Sequence, residues 1–227
     1  MKSKSYKKQI EEYNEKYGKI PLDHESILEY LKNDLHLTDK DMQKIHEEDE
    51  IANNIPWREL KIILPVIPKP SPRPRQSGRT HSFYVSGASE NKKLIKYFIE
   101  EKYNIIYTQI FFYLTSYLPT PISLMNRREI YRAENKTLSA MSNPDWDNLG
   151  KTYSDMVQSI LILNDNIITK GLSEKFYSIK PRVEITINYQ EGYDSRFNKK
   201  RITSSTSYKN AVEAGQIIEL YTEGKGF

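Results

Sequence analysis

The stretch that decides the fold of this chain is NPDWDNLGKTYSDMVQSI, residues 143–160. Its apolar residues recur at the spacing of a helix that begins near Asn148 and buries one side. The buried stripe is expected to consist of Leu149, Tyr153, Met156, Val157 and Ile160. Pro144 fixes how the chain enters the helix, and Asp147 is predicted to cap its first turn. The stretch therefore predicts an amphipathic helix.

The polar residues of the same stretch indicate a chemistry. Asp145 and Asp147 lie two residues apart, Lys151 and Asp155 follow at intervals of four, and Asp165 comes about one helix later. In an extended segment Asp145 and Asp147 would point the same way, because strand side chains alternate. Carboxylates without cysteine suit Mg²⁺ rather than zinc, and a neighbouring lysine suits a phosphate substrate. Metal-dependent phosphodiester chemistry is the first hypothesis.

The distribution of charge indicates which partners to expect. The whole chain carries a formal net charge of +4. Residues 1–56 hold 9 Lys and Arg against 13 Asp and Glu, whereas residues 57–190 hold 19 against 12. A basic body with acids concentrated at one place is expected of an enzyme that acts on a polyanion. Charge alone leaves open the other interpretation, that the positive charge only aids solubility.

Length and composition narrow the class of protein. A chain of 227 residues can bury about 70% of the surface that its unfolded form exposes, which allows one sizeable core and an appendage. The chain has no cysteine, which excludes disulfides and thiolate zinc sites. No apolar run approaches the ~20 residues of a membrane span, and residues 1–17 are too polar for a secretory signal. We therefore expect a cytoplasmic protein without a membrane segment.

The sequence divides into three parts. Residues 1–56 are predicted to be a helical N-terminal extension, because Asp23 and Thr38 can cap helices and Gly18 can end one. Residues 57–190 alternate between strand and helix patterns and form the main domain. Residues 191–227 are predicted to be a polar tail with one short helix at residues 208–221.

The main domain is predicted to be α+β, a small mixed β-sheet with helices packed on it. Strand patterns occur at residues 59–67, 82–86, 105–117, 167–179 and 182–189, and helix patterns at residues 88–103 and 122–134. One face of the third strand is expected to carry Ile106, Thr108, Ile110, Phe112 and Leu114. The last two strands are predicted to form a closing hairpin, with Asp165 exposed at the bend before them.

Two groups of basic residues are candidate phosphate contacts. Residues 69–80 combine prolines with cations, a pattern that indicates an extended basic loop. Arginine can bind phosphate bidentately; for both groups the alternative is a solvated surface without function. The first group is Lys69, Arg73, Arg75 and Arg79, and the second is Arg127, Arg128 and Arg132 on the helix predicted at residues 122–134.

The acidic stretch and its surroundings resemble the RusA family of Holliday-junction resolvases, which are divalent-metal-dependent endodeoxyribonucleases. The likeness covers roughly residues 58–190. It rests on a Pro-Asp-x-Asp-Asn element, a following Lys, an Asp on the same helix, and an acidic pair before an aliphatic strand. These features fall on Pro144–Asn148, Lys151, Asp155 and Asn164–Asp165, and Pro181–Ile185 is similar to the family's final strand.

Two residues depart from the family pattern. Asn164 replaces the first member of the acidic pair, so the third carboxylate of the site is expected to be Asp165 alone. Gly150 lies inside the predicted helix beside Lys151, where Gly costs about 1 kcal/mol relative to Ala. We expect Gly150 either to loosen the start of the helix or to allow a close approach to DNA.

The resemblance implies a role for each catalytic residue. Asp145, Asp147 and Asp165 would hold one or two Mg²⁺ ions, for which Mn²⁺ could substitute. Lys151 would contact the scissile phosphate and complete the catalytic set.

The resemblance also implies partners. Asp155 and Asn148 would support the catalytic residues without contacting the metal, and the basic loop would correspond to the family's early DNA-contacting loop. The substrate would be a four-way DNA junction. Because such a junction is resolved by two symmetric cuts, we expect a homodimer with a two-fold axis.

Three other interpretations of the sequence remain open. The nuclease could act on flaps, replication forks or branched packaging intermediates instead of junctions. A protein that binds branched DNA without cutting it would use Asp145 and Asp147 only as a turn and a helix cap. Glycosyltransferases also use Asp-x-Asp, to bind a metal-chelated nucleotide sugar, but the basic body and the missing Gly-rich motif disfavour that class.

Overall fold

The computed structural model describes residues 6–18, 23–70, 75–77, 81–83, 93, 95–97, 104–190 and 204–217. The chain forms two units, Met1–Asn53 and Asn54–Phe227. None of the helices in the described part of the chain is long and apolar enough to cross a membrane.

The first unit contains three helices whose ends follow the sequence signals. They are α1 (Tyr6–Tyr17), α2 (His24–Asp34) and α3 (Asp39–Asn53). Gly18 has a φ of 75° directly after α1, a conformation that favours glycine, and so confirms the predicted stop. The Asp23 carboxylate accepts a hydrogen bond from the Ser26 amide at 2.9 Å, which lowers the pKa of Asp23. The Thr38 hydroxyl accepts from the Asp41 amide, so both predicted caps are confirmed.

The second unit is built on a four-stranded sheet. Its elements are β1 (Trp57–Leu64), β2 (Arg75–Ser77), β3 (His81–Phe83), β4 (Ile110–Pro119), α4 (Arg127–Glu134), α5 (Trp146–Val157), β5 (Ile168–Ser178), β6 (Arg182–Gln190) and α6 (Thr206–Glu213). The strand order is β1-β6-β4-β5; β4 and β5 run parallel, and β6 is antiparallel to both of its neighbours. This mixed sheet with its helices confirms the predicted α+β class.

β2 and β3 form a separate two-stranded ladder. Residues 75–77 therefore lie in a strand, although the sequence predicted that they belong to a loop. Their residues, Arg, Gln and Ser, carry no apolar alternation, so the strand depends on pairing with β3 rather than on its own pattern.

β5 and β6 do not form the predicted hairpin. They lie on opposite sides of β4, so the connection at residues 179–181 crosses the end of β4. Neighbouring strands lie ~4.8 Å apart, and a short extended segment at ~3.3 Å per residue can span the two intervals. The hairpin prediction was wrong because alternation identifies a strand but does not say which strand it pairs with.

Hydrogen bonds around Ser178 hold this crossing in place. The buried Ser178 hydroxyl donates to the Glu134 carboxylate at 3.0 Å, and the same carboxylate accepts from the Ile179 amide at 2.9 Å. The Arg182 guanidinium lies 3.6 Å from the centre of the Tyr117 ring, within the range of a cation–π contact. The end of α4 and the end of β4 therefore both stabilise the connection between β5 and β6.

α5 packs its apolar stripe on one face of the sheet. As predicted, the residues Leu149, Tyr153, Met156 and Val157 are buried, with Ile160 partly buried. The strand residues that they meet include Ile62, Leu64, Ile110, Phe112, Leu114, Val183, Ile185 and Ile187. Because each fully buried aliphatic chain contributes roughly 1.5–3 kcal/mol, this core holds α5 firmly against the sheet.

The strand predicted at residues 105–117 begins later than expected, at Ile110. Before it, Ile106 pairs with the turn that follows α5: its amide donates to the Leu161 carbonyl at 2.8 Å, and its carbonyl accepts from the Leu163 amide at 2.9 Å. The predicted inward face, Ile106, Thr108, Ile110, Phe112 and Leu114, is buried. The start of this segment thus fixes the turn after α5 instead of extending the sheet.

The two predicted helices of the main domain are only partly described. A 3₁₀ turn at Ile122–Leu124 precedes α4. Asn126 caps the first turn of α4, because its side chain accepts a hydrogen bond from the Glu129 amide at 3.0 Å. The helix predicted at residues 88–103 lies largely outside the described residues. Residues 93 and 95–97 are helical, and Ile95 is buried.

Part of the predicted polar tail contributes to the second unit. α6 buries Tyr208 and Ala211, together with Ile217, against Ile105 and Leu163. Leu163 stands two residues before the candidate metal ligand Asp165. α6 therefore supports the segment on which that carboxylate lies.

Candidate active site

The two candidate carboxylates lie at the start of α5. Asp145 is the N-cap, with φ −65° and ψ 144°, and its carbonyl accepts from the Leu149 amide at 3.1 Å. Asp147 belongs to the first helical turn, so the prediction that it caps the helix was wrong. The apolar stripe locates only the buried part of the helix, and exposed residues can extend it toward the N-terminus at no cost in burial. Since Asp147 is helical, the argument from strand alternation does not apply to this pair.

Side chains from β5 fix the backbone that leads into α5. The Lys175 ammonium donates to the carbonyls of Ser142 and Pro144, at 2.9 Å for Pro144. The Ser173 hydroxyl donates to the Trp146 carbonyl at 3.1 Å. Sequence reasoning missed Ser173 and Lys175. Their spacing of two does place them on one face of a strand, but nothing local shows what that face contacts.

Gly150 lies on the side of α5 that faces β5. A β-carbon added at Gly150 would lie 3.4 Å from the Ser173 β-carbon, so the glycine faces the sheet. The expectation that Gly150 loosens the helix or approaches DNA stays a prediction, because the contact with Ser173 tests neither effect. The distance of 3.4 Å is that of an ordinary contact, so alanine would also fit at this position.

The remaining candidate residues of α5 lie outside its buried stripe. Asp147, Lys151 and Asp155 recur every four residues, about 6 Å apart along the helix axis. Lys151 is exposed, and its ammonium has no acidic partner among the residues that the structure describes. Asp155 is half-buried and accepts from the Gln158 amide group at 3.1 Å. Asn148 is also half-buried.

Asp165 is exposed, as predicted, and begins the 3₁₀ turn Asp165–Ile167 that leads into β5. The Asn164 side chain caps this turn by accepting from the Asn166 amide at 3.2 Å. Asn and Asp are equally good caps, so Asn164 can serve here in place of the family's Asp. The pairing of Leu163 with Ile106 holds the preceding backbone.

The structure places the predicted metal ligands at two points along the chain. Asp145 and Asp147 occupy the N-terminal end of α5, whereas Asp165 follows the turn beyond its C-terminal end. Within the described part of the chain, no group of three or more His, Asp or Glu side chains lies close enough to hold a metal ion. Mg²⁺ is commonly bound by one or two carboxylates plus substrate phosphates, so the exposed pair fits this ion in chemistry. The place of Asp165 in the ligand set stays a prediction.

The first basic group starts beside α5. The Lys69 amide donates to the Tyr153 hydroxyl at 3.4 Å, and burial raises the pKa of Tyr153. Arg73 and Arg79 lie outside the described residues, and of Arg75 only the backbone, in β2, is described. The start of the basic loop is thus anchored to the helix that carries Lys151.

The second basic group lies on α4. Arg132 pairs with the Glu129 carboxylate at 2.6 Å, which offsets part of the charge that it could offer to a phosphate. Arg127 and Arg128 are exposed, and neither forms an ion pair with a described residue. Within this group, Arg127 and Arg128 are therefore the stronger candidates for contacts with phosphate.

Replacement of Lys175 by Met is expected to lower the free energy of unfolding by about 1.5–3 kcal/mol, because the hydrogen bonds to two carbonyls come from a charged donor. Urea denaturation of both proteins measures the change. Lys61→Met is the matched control, since Lys61 is an exposed strand lysine of β1. Equal denaturation midpoints for the two variants would show that Lys175 does not stabilise the start of α5.

A family model described as Endodeoxyribonuclease RusA matches residues 65–188, which is more than half of the 227 residues. No curated protein matched the chain. The matched segment runs from the residue after β1 into β6, and it contains Asp145, Asp147, Lys151 and Asp165.

Proposed function

Because the chain belongs to the RusA family of endodeoxyribonucleases, we propose that it resolves four-way DNA junctions by paired symmetric nicks, in a reaction that requires Mg²⁺. DNA recombination and repair are the processes that produce this substrate. The observation that carries the proposal is the exposed carboxylate pair at the start of α5, with a lysine one helical turn further on.

The carboxylates would bind the metal at the scissile phosphate. Asp145 and Asp147 would supply the first ligands, and Asp165 the third. When bound, Mg²⁺ supplies an activated water and offsets charge on the phosphate and the leaving oxygen. The Ser173 and Lys175 side chains donate hydrogen bonds to the backbone carbonyls next to Asp145. These bonds fix the backbone that carries the pair, so it would need little reorganisation when DNA binds.

Lys151 would act on the same phosphate from the side of the helix. An exposed ammonium group one turn from Asp147, with no acidic partner among the described residues, can donate to a phosphate oxygen and offset the charge that grows in the transition state. Asp155 would support this site from the next turn, where its carboxylate already accepts from Gln158. Asn148 would do so from the first turn.

DNA would be bound by the two basic groups, and the protein would act as a homodimer. The first group, whose members would contact phosphates, is Lys69, Arg73, Arg75 and Arg79, and the second is Arg127, Arg128 and Arg132. Two cuts related by symmetry require two sites related by a two-fold axis. A cysteine-free chain suits the reducing cytoplasm, where we place the protein.

A cleavage panel tests the proposed function. Purified protein is incubated with a four-way junction, a flap, a fork and a linear duplex, in Mg²⁺, in Mn²⁺ and in EDTA. We expect paired nicks on the junction with either metal and none in EDTA, while binding persists in EDTA. Preferential cutting of the flap or the fork would show that this structure, and not the four-way junction, is the substrate. Binding without cleavage under every condition would identify a branched-DNA-binding protein instead.

The basic loop is expected to govern DNA affinity and its salt dependence, not the chemistry. Replacing Arg73, Arg75 and Arg79 by Ala would remove up to about three interactions with phosphate, each of which releases counterions on binding. The slope of log affinity against log salt should become shallower by roughly 0.7–0.9 for every phosphate that is no longer neutralised, while cleavage at saturating enzyme persists.

A matched control for this variant removes the same charge elsewhere. Lys32, Lys40 and Lys44 are exposed cations of the N-terminal unit, and their replacement by Ala should leave the salt slope unchanged. An unchanged slope in the loop variant as well would show that the loop does not touch DNA. Arg127 and Arg128 would then be the next residues to test.

A further inference from the structure

The side chain of Trp146 is unusually exposed. It retains 62% of its accessible surface, although tryptophan is highly buried on average. The chain's other tryptophan, Trp57, stacks on Phe111 with ring centres 4.4 Å apart. No aromatic ring or cation within the described residues contacts the indole of Trp146. Its surface is therefore available to a ligand.

The backbone of Trp146 is held although its side chain is exposed. Its carbonyl accepts from Ser173, and Lys175 binds the carbonyl of Pro144, two residues earlier. The residue is also the first of α5, whose buried stripe packs on the sheet. A ring presented from a fixed backbone loses little conformational freedom when a ligand binds, so its contact area contributes efficiently to affinity.

The neighbours of Trp146 restrict what the ligand can be. Asp145 and Asp147 flank Trp146 in the sequence. Their negative charges would repel an anionic surface, such as a layer of acidic lipid headgroups. A ligand that offers a flat π-face and reaches the carboxylate pair through a metal-bound phosphate avoids this repulsion. A nucleotide has both groups, because its flat base and its phosphate are joined through one sugar.

We propose that Trp146 stacks on the base next to the scissile phosphate and thereby favours branch points over continuous duplex. This inference rests on the proposed function. Every base has a π-face, so such stacking is tolerant of sequence, but the base must first leave its own stack. Bases at a branch point unstack more readily than bases inside a duplex. Trp146 would therefore make the enzyme select branched DNA over duplex DNA, through a contact next to the bond that is cut.

Tryptophan fluorescence reports the contact directly. In a Trp57→Phe variant Trp146 is the only tryptophan. Titration with a four-way junction in Ca²⁺, which takes oxygen ligands as Mg²⁺ does, keeps a cation at the carboxylate pair, and gel analysis of the titrated DNA confirms that it is uncut. We expect the emission to fall about twofold or more on saturation with the junction, and less with linear duplex of equal length. An unchanged emission at saturation would overturn the proposal.

Substitution combined with abasic DNA locates the stacked base. Trp146→Ala should weaken junction binding by about five- to a hundredfold, and Trp146→Phe by about threefold or less. An abasic site placed at the stacked nucleotide should make wild type and Trp146→Ala bind equally, whereas abasic sites elsewhere should not. Tyr30→Ala, which removes an exposed aromatic from the N-terminal unit, is the matched control and should bind as wild type.

The outcomes separate this inference from the proposed function. If the wild-type protein neither binds nor cuts the junction, the proposed function fails. If it cuts the junction and Trp146→Ala binds as tightly, only the role of Trp146 fails. A loss of affinity that no abasic site abolishes, together with a changed mass in light scattering, would place Trp146 in a protein–protein interface and overturn the stacking. Thermal unfolding of each variant confirms that it is folded.

Discussion

Replacement of Asp145 or Asp147 by Asn is expected to abolish junction cleavage while leaving junction binding intact or tighter. Each change removes one negative ligand from the exposed pair at the start of α5, which weakens metal binding. The same change removes a charge that repels phosphate, so the affinity for DNA should not fall. Cleavage rates under single-turnover conditions and gel-shift affinities in EDTA measure the two effects separately.

The control for these variants is Asp39→Asn, which removes an acid from the first turn of α3. Loss of a first-turn carboxylate costs about 0.3–1 kcal/mol through the helix dipole, so a small fall in Tm is expected in Asp147→Asn and in the control alike. Only the Asp145 and Asp147 variants should lose cleavage. A rate above about a tenth of wild type in either of them would remove that residue from the metal site.

Replacement of Lys151 by Ala is expected to lower turnover far more than affinity. A donor that acts on charge developing in the transition state is worth on the order of 10²–10³ in kcat, whereas many other cations share the binding of the ground state. Lys151 is assigned this role because its ammonium group is exposed and lies one turn from Asp147. Single-turnover rates at saturating enzyme, with equilibrium affinity measured in EDTA, give the comparison.

Lys209→Ala is the matched control for Lys151→Ala, since Lys209 is another exposed helical lysine of the same unit. It should change neither kcat nor affinity. If Lys151→Ala binds the junction much more weakly but cuts normally once saturated, Lys151 only docks DNA. Retention of activity in Lys151→Arg would show that charge is sufficient, because arginine keeps the charge but presents it in another geometry.

Local sequence patterns predicted the elements that carry the site. The stripe of α5 follows from the spacing of Leu149, Tyr153 and Met156, because residues at intervals of three and four share one face of any helix. Asp23 and Thr38 were identified as caps for the same kind of reason: a cap and the amide that it satisfies lie within one turn. The chemistry of the site, two carboxylates and a lysine, was also evident from residue types and spacing.

Local sequence patterns did not predict where α5 and β4 begin. α5 begins at Trp146, and its cap is Asp145 rather than Asp147, because the exposed first turn leaves no apolar signal. β4 begins at Ile110 although residues 105–109 are equally β-prone, since Ile106 pairs with Leu161 and Leu163 instead. In both cases the apolar pattern was interpreted correctly. For β4, a hydrogen-bond partner elsewhere in the chain decided where the strand starts.

By itself, the sequence determined the α+β class, the apolar stripe of α5 and the inward face of β4, and it predicted the residues of the candidate site. Only the tertiary structure decided that β4 lies between β5 and β6, that Ser173 and Lys175 hold the start of α5, and that α6 packs beside Leu163. The physical reason is the range of the interactions. Helical and strand periodicity depends on neighbours a few residues apart, whereas strand order and these contacts join distant segments. Such segments are selected by the packing and hydrogen-bond satisfaction of the whole unit.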